Sequence, residues 1–84
     1  MKYIALDCHK QYDYATMIDS ETGEIKNKKL AHVKAEFSGF IGDKAGIKMV
    51  IESYQEWARS YELSADLVED IILAHPLKVK AIAS

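Results

Sequence analysis

The hydrophobic pattern of this sequence changes its period near Lys34, and this change constrains the fold more than any other feature. Before Lys34, the apolar residues fall in short, strand-like segments. After it, Phe37, Phe40 and Ile41 are spaced at i, i+3 and i+4, as on one face of a helix. Strands followed by alternating helices and strands indicate an α/β fold, a mixed sheet with helices packed on it. The 84 residues suffice for one domain at most.

Five strands and two helices are predicted, in the order β β β α β α β. The strands are expected at 2–6, 12–18, 25–33, 47–52 and 70–74, and the helices at 34–42 and within 53–70. The first strand is almost continuously apolar, which is typical of a central strand covered on both faces, and the last is also expected to be buried. The third is rich in lysine, which favours a solvated edge. In the longer helix, the apolar face is predicted to comprise Trp57, Tyr61, Ala65 and Val68, with Leu63 and Leu67 widening it.

Two of the predicted strands end in a carboxylate, Asp7 on the first and Glu52 on the fourth. Right-handed crossovers through the helices make these strands parallel, so the two acids would meet at the carboxyl edge of the sheet if the strands are neighbours. Neighbouring carboxylates suit Mg²⁺ or Mn²⁺, and such ions promote phosphoryl transfer. Strands also end in ordinary solvated turns with Asp or Glu, so the spacing alone leaves both interpretations open.

Three segments carry a resemblance to a known family: YIALDCHK at 3–10, VIESYQEW at 50–57 and LAHPLKVKAIA at 73–83. They resemble the DEDD-type transposases of insertion sequences and the similar Piv-type DNA invertases, whose N-terminal domain is like that of the RuvC junction resolvase. The resemblance implies a ribonuclease H-like fold and metal-dependent phosphodiester chemistry on DNA. It also implies that Asp7 and Glu52 are the first two of four catalytic, metal-binding acids.

The other two acids of that family would follow Ser84. The resemblance therefore predicts that residues 1–84 are a single partial domain, incomplete at its C-terminal end and inactive by itself. It further implies DNA as a partner, with structured RNA in some members. A homodimer is also expected, because association would bury exposed apolar surface. Nucleic-acid contacts would come from Lys10, beside the acids, and from Lys78 and Lys80 in the last segment. A plain solvated surface is the competing interpretation of these lysines.

Composition adds few constraints. Net charge is −2, which is not the overall signature of a nucleic-acid-binding protein. The single cysteine, Cys8, cannot form an internal disulfide and is expected to be a packing residue. No segment resembles a membrane span or a signal peptide, so we expect a cytoplasmic protein.

Two other functions fit parts of the sequence. A non-catalytic, dimerising association module would use apolar surface around Ile71–Leu73, left exposed if one sheet face lacks a covering helix. An actin-like or sugar-kinase-like ATPase also begins with a strand that ends in Asp. That class needs glycines against the phosphates, and this chain has none before Gly23.

Overall fold

The computed structural model describes residues 1–42, 46–52 and 56–74. They form a five-stranded sheet and two helices in the predicted order. The elements are β1 (Lys2–Cys8), β2 (Tyr12–Asp19), β3 (Ile25–Ala31), α1 (Lys34–Ile41), β4 (Ile47–Glu52), α2 (Trp57–Ser64) and β5 (Asp70–Ala74).

The strand order across the sheet is β3-β2-β1-β4-β5. β2 is antiparallel to both β1 and β3, whereas β4 is parallel to β1 and β5 is parallel to β4. The prediction that the fourth and fifth strands run parallel to the first is confirmed. The lysine-rich third strand lies at an edge, also as predicted.

A tight turn joins β2 to β3 and fixes their register. Gly23 has a φ of 76°, which suits glycine because it lacks a Cβ atom, and its N–H donates to the carbonyl of Asp19 at 2.8 Å. The Asp19 side chain accepts a hydrogen bond from the backbone N–H of Glu21 at 3.0 Å. This bond stabilises the carboxylate and lowers the pKa of Asp19.

The core lies on one face of the sheet. Alternate side chains of the central strands point to this face, where Ile4 and Leu6 of β1 are register neighbours of Met49 and Ile51 of β4. Both helices cover it. The buried residues that complete the core are Ala15, Met17, Leu30, Phe37, Ile41, Ile47 and Val68.

The other face of the sheet is exposed, so the prediction that β1 is covered on both faces is wrong. Tyr3, Ala5 and Asp7 of β1 are all exposed there. The cause is topological. The crossover from β3 through α1 to β4 and that from β4 through α2 to β5 advance across the sheet in the same direction, so their common hand places both helices on one side.

Two further expectations about burial are wrong. β5 is a half-exposed edge strand, with Ile72 55% and Leu73 48% exposed. The predicted apolar face of the second helix points outward at Trp57, Tyr61 and Ala65, whereas Leu63 and Leu67 pack against the core and Val68 is buried. The buried residues of α2 are Ser60 and Ser64, and Ser60 donates a hydrogen bond to the buried carboxylate of Asp13.

Candidate functional site

Asp7 and Glu52 are register partners on the neighbouring parallel strands β1 and β4. Adjacent strands lie about 4.8 Å apart, so the backbone holds the Cα positions of the two acids side by side. Both residues are exposed, and both belong to the open face of the sheet. The predicted meeting of these two acids at the carboxyl edge is therefore present in the fold.

His9 makes the hydrogen bond that orients Asp7. The His9 Nε2 donates to Asp7 Oδ2 at 3.2 Å, and the His9 ring stacks on Tyr12 with centroids 4.7 Å apart. A backbone bond from His9 N to the carbonyl of Tyr12, 2.9 Å long, closes the turn that carries this ring. The turn after β1 thus supports the carboxylate from one side.

The carboxylate pair continues into a row of open-face residues that crosses four strands. Tyr14 of β2 is the register partner of Asp7, and Lys29 of β3 is the partner of Tyr14. The row reads, from edge to centre, Lys29, Tyr14, Asp7 and Glu52. A cation, an aromatic ring and two acids are consequently aligned by the backbone ladder alone.

The two acids offer part of a cation shell. Among residues 1–42, 46–52 and 56–74, no three His, Cys, Asp or Glu side chains converge as a metal site. Mg²⁺ is commonly held by one or two carboxylates while it retains several waters. Asp7 and Glu52 fit that requirement in type, position and exposure, because water can reach both of them.

A second polar cluster, the buried cluster, lies behind the same strand ends on the helix-covered face. Asp13 is its centre and is fully buried. Ser60 Oγ donates to Asp13 Oδ2, while His32 Nε2 donates to Asp13 Oδ1 at 2.9 Å. Cys8 Sγ donates to Ser60 Oγ at 3.3 Å. The bonds connect α2 and the residue after β3 to the ends of β1 and β2.

The buried cluster does not have the geometry of a nucleophilic site. In a catalytic triad the imidazole lies between nucleophile and carboxylate, whereas here Asp13 lies between Ser60 and His32. Burial raises the pKa of the Cys8 thiol to about 12, so it stays protonated near neutrality. The cluster stabilises the fold and fixes the strand end next to Asp7.

Sequence reasoning missed this cluster, although one signal was available. Asp13 has the same strand parity as Ala15 and Met17, which are buried. A carboxylate at a core-facing position of a strand needs partners, since an unpaired buried charge is very costly. The serines of α2 carried no comparable signal, because nothing local indicates that a helix will place them over an acid.

The lysines predicted to contact nucleic acid have different positions. Lys10 is exposed in the turn between β1 and β2, directly after His9. Lys34, which does not belong to that predicted set, donates from Nζ to the carbonyl of Leu63 at 3.1 Å and pairs with Asp66. Lys78 and Lys80 lie outside the described residues.

No family model, no curated protein and no solved structure matches this chain. Within the described part of the chain, neither helix has the length and apolar character needed to cross a membrane.

Proposed function

We propose that Asp7 and Glu52 bind a divalent cation, Mg²⁺ or Mn²⁺, as part of a site for phosphodiester chemistry on DNA. The corresponding class is the DEDD-type transposases and recombinases, with a ribonuclease H-like domain. The observation that carries this proposal is the register pairing of Asp7 with Glu52 on adjacent parallel strands. The strand order and the resemblance of the three sequence segments agree with it.

The side chains around the acids have distinct roles in this proposal. A bound cation would activate the attacking oxygen and stabilise the leaving one. Asp7 and Glu52 would hold the ion, and the hydrogen bond from His9 Nε2 would keep Asp7 in a single orientation. Lys10, exposed beside His9, would contact a phosphate. Two carboxylates alone make a weak site, so we expect metal binding by this chain but no strand cleavage.

Titration of the protein with Mn²⁺, followed by electron paramagnetic resonance, tests the site. We expect Asp7→Asn and Glu52→Gln each to weaken Mn²⁺ binding about tenfold or more, because each removes one of two anionic ligands. Asp70→Asn is the matched control. Asp70 is also exposed at a strand terminus, but β5 places it away from the carboxyl edge.

Binding of Mn²⁺ that is equal in the protein and in both carboxylate variants would refute the assignment. Equal weakening by Asp70→Asn would also refute it, because the ion would then be responding to net charge.

A third variant, His9→Phe, tests the hydrogen bond to Asp7. Loss of the Nε2–H bond should weaken Mn²⁺ binding by less than loss of Asp7 itself.

A second candidate function is a non-catalytic association module. The observation that favours it is the exposure of Ile72 and Leu73 on β5, an edge strand that carries no lysine. An apolar edge of this kind is a template for pairing with another strand. A dimer formed through β5 would bury both side chains, and the concentration dependence of sedimentation tests it.

A further inference from the structure

The half of the open face next to Asp7 carries three aromatic rings and two lysines. We call this group the aromatic–basic patch: His9, Lys10, Tyr12, Tyr14 and Lys29. The rings of His9 and Tyr12 are stacked nearly in parallel, with an interplanar angle of 17°. Lys29 Nζ lies 4.8 Å from the centroid of the Tyr12 ring, and Tyr14 is 42% exposed. The patch is therefore preassembled from strand and turn residues.

The chemistry of the patch matches that of a nucleotide. Every nucleobase has a π face that can stack on an exposed aromatic ring, and lysines beside such a ring can neutralise phosphates. Bases inside a duplex are already stacked on each other, so an exposed ring on a sheet can reach only an unpaired base. Lys10 and Lys29 supply positive charge for an anionic backbone, and the neighbouring Asp7 carboxylate is engaged by His9 Nε2.

Position relates the patch to the acids. Tyr14 is the register partner of Asp7, one strand spacing of about 4.8 Å away. A base stacked on Tyr14 would therefore hold its own phosphate within reach of Asp7 and Glu52. Lys29, on the far side of Tyr14, would hold the next phosphate along the strand.

We propose that the aromatic–basic patch binds unpaired nucleotides and directs a single strand of DNA or RNA across Tyr14 toward the two carboxylates. The second half of this statement rests on the proposed function, since it needs the acids to hold a cation. The first half does not, because stacking and phosphate contacts at the patch require no metal.

Fluorescence anisotropy with labelled oligothymidylate of about 12 nucleotides tests the proposal, in EDTA and at low salt. We expect the single strand to bind more tightly than a duplex of equal length. Tyr14→Leu should weaken binding between about fivefold and about a hundredfold, as removal of one stacking ring does. Tyr14→Phe should restore it, since Phe keeps the ring and loses only the hydroxyl.

Tyr61→Leu is the matched control. Tyr61 is 41% exposed, close to the exposure of Tyr14, but it belongs to α2 on the opposite side of the sheet. Lys29→Gln adds an independent readout. It should reduce the slope of log affinity against log salt by about 0.7, the value for one phosphate contact on a single strand.

Three results would overturn the proposal: no binding of the single strand, equal binding of strand and duplex, or equal losses in Tyr14→Leu and Tyr61→Leu. Mn²⁺ binding distinguishes this outcome from failure of the proposed function. If Asp7→Asn abolishes Mn²⁺ binding while no strand binds, the patch assignment alone is wrong. If the strand binds in EDTA through Tyr14 while Mn²⁺ does not bind, the metal assignment alone is wrong.

Discussion

At the residue scale, Asp13 determines how the second helix meets the sheet. A fully buried carboxylate needs donors from several directions, and it receives them from His32 and Ser60. Ser60 is in turn an acceptor for Cys8. Ser60 therefore occupies a buried position of α2 because its hydroxyl bonds both Asp13 and Cys8.

Ser60→Ala should destabilise the fold by about 2–3 kcal/mol, because it removes a donor to a buried charge and the acceptor of Cys8. Ser64→Ala is the matched control. Ser64 is as buried as Ser60, but its hydroxyl has no hydrogen-bond partner among the described residues, so the substitution should cost little. Urea unfolding followed by circular dichroism measures both. Equal losses would contradict the role given to Ser60.

Cys8 should react slowly with alkylating agents. Burial raises the pKa of the thiol to about 12 from an ordinary value of 9.0, so very little thiolate is present near pH 8. Iodoacetamide labelling followed by mass spectrometry should be much slower in the folded protein than in urea. Similar rates in the two states would mean that the thiol is not buried as described.

The raised pKa of Cys8 also makes the free energy of unfolding depend on pH in the alkaline range. The folded-state pKa is raised, so the stabilising contribution is present below pH 9.0 and is lost as pH rises toward 12. The free energy of unfolding should therefore decrease more steeply above pH 9 in the protein than in Cys8→Ala.

At the element scale, the hairpin turn between β2 and β3 has its own pH dependence. The pKa of Asp19 is lowered chiefly by the backbone N–H of Glu21, so its contribution is present above the ordinary value of 3.8. That contribution is lost as pH falls below 3.8 through the folded-state pKa. Asp19→Asn should flatten this part of the stability profile.

Urea midpoints measured on either side of pH 3.8 test this prediction. Glu62→Gln is a suitable control, since Glu62 is an exposed acid that belongs to α2 and not to the turn. If Asp19→Asn and Glu62→Gln have identical acid profiles, the turn does not stabilise the Asp19 carboxylate.

The elements show what the sequence could and could not predict. Periodicity located all five strands and α1, and crossover handedness predicted the parallel placement of Asp7 beside Glu52. Periodicity also located α2 within 53–70, but the predicted face is wrong at Trp57 and Tyr61, which point outward and contact each other edge to face, 6.4 Å apart. The burial of Ser60 depends on Asp13, which is remote in sequence and therefore not detectable from the periodicity of the helix.

At the scale of the whole molecule, packing is one-sided. Two helices cover one face of the sheet, while the opposite face exposes Tyr3, Tyr14, Ile18 and Ile72. The nearly continuous apolar run of β1 predicted a strand buried on both faces. Hydrophobic side chains favour burial, but the sequence pattern does not show whether another element covers each face of the sheet. The aromatic–basic patch and the carboxylate pair both lie on this uncovered face.

The edges of the sheet give a prediction at this scale. If copies associate through β5, Ile72→Lys should abolish the concentration dependence of sedimentation, because a charged edge blocks strand pairing. Lys28→Arg on β3 is the control, since it alters the opposite edge but keeps its charge and should not affect that association. A strict monomer at high protein concentration would exclude the association module.

The register of β1 against β4 also determines which sequence changes the carboxylate pair can survive. Because side chains alternate between faces, one residue inserted within β4 before Glu52 would turn its carboxylate toward the core. Insertions in the connections before and after the strand leave the pairing of Asp7 with Glu52 intact. Single-residue insertions or deletions within β1 or β4 should therefore disrupt the pairing of Asp7 with Glu52. Changes of length in the connecting loops should leave this pairing intact.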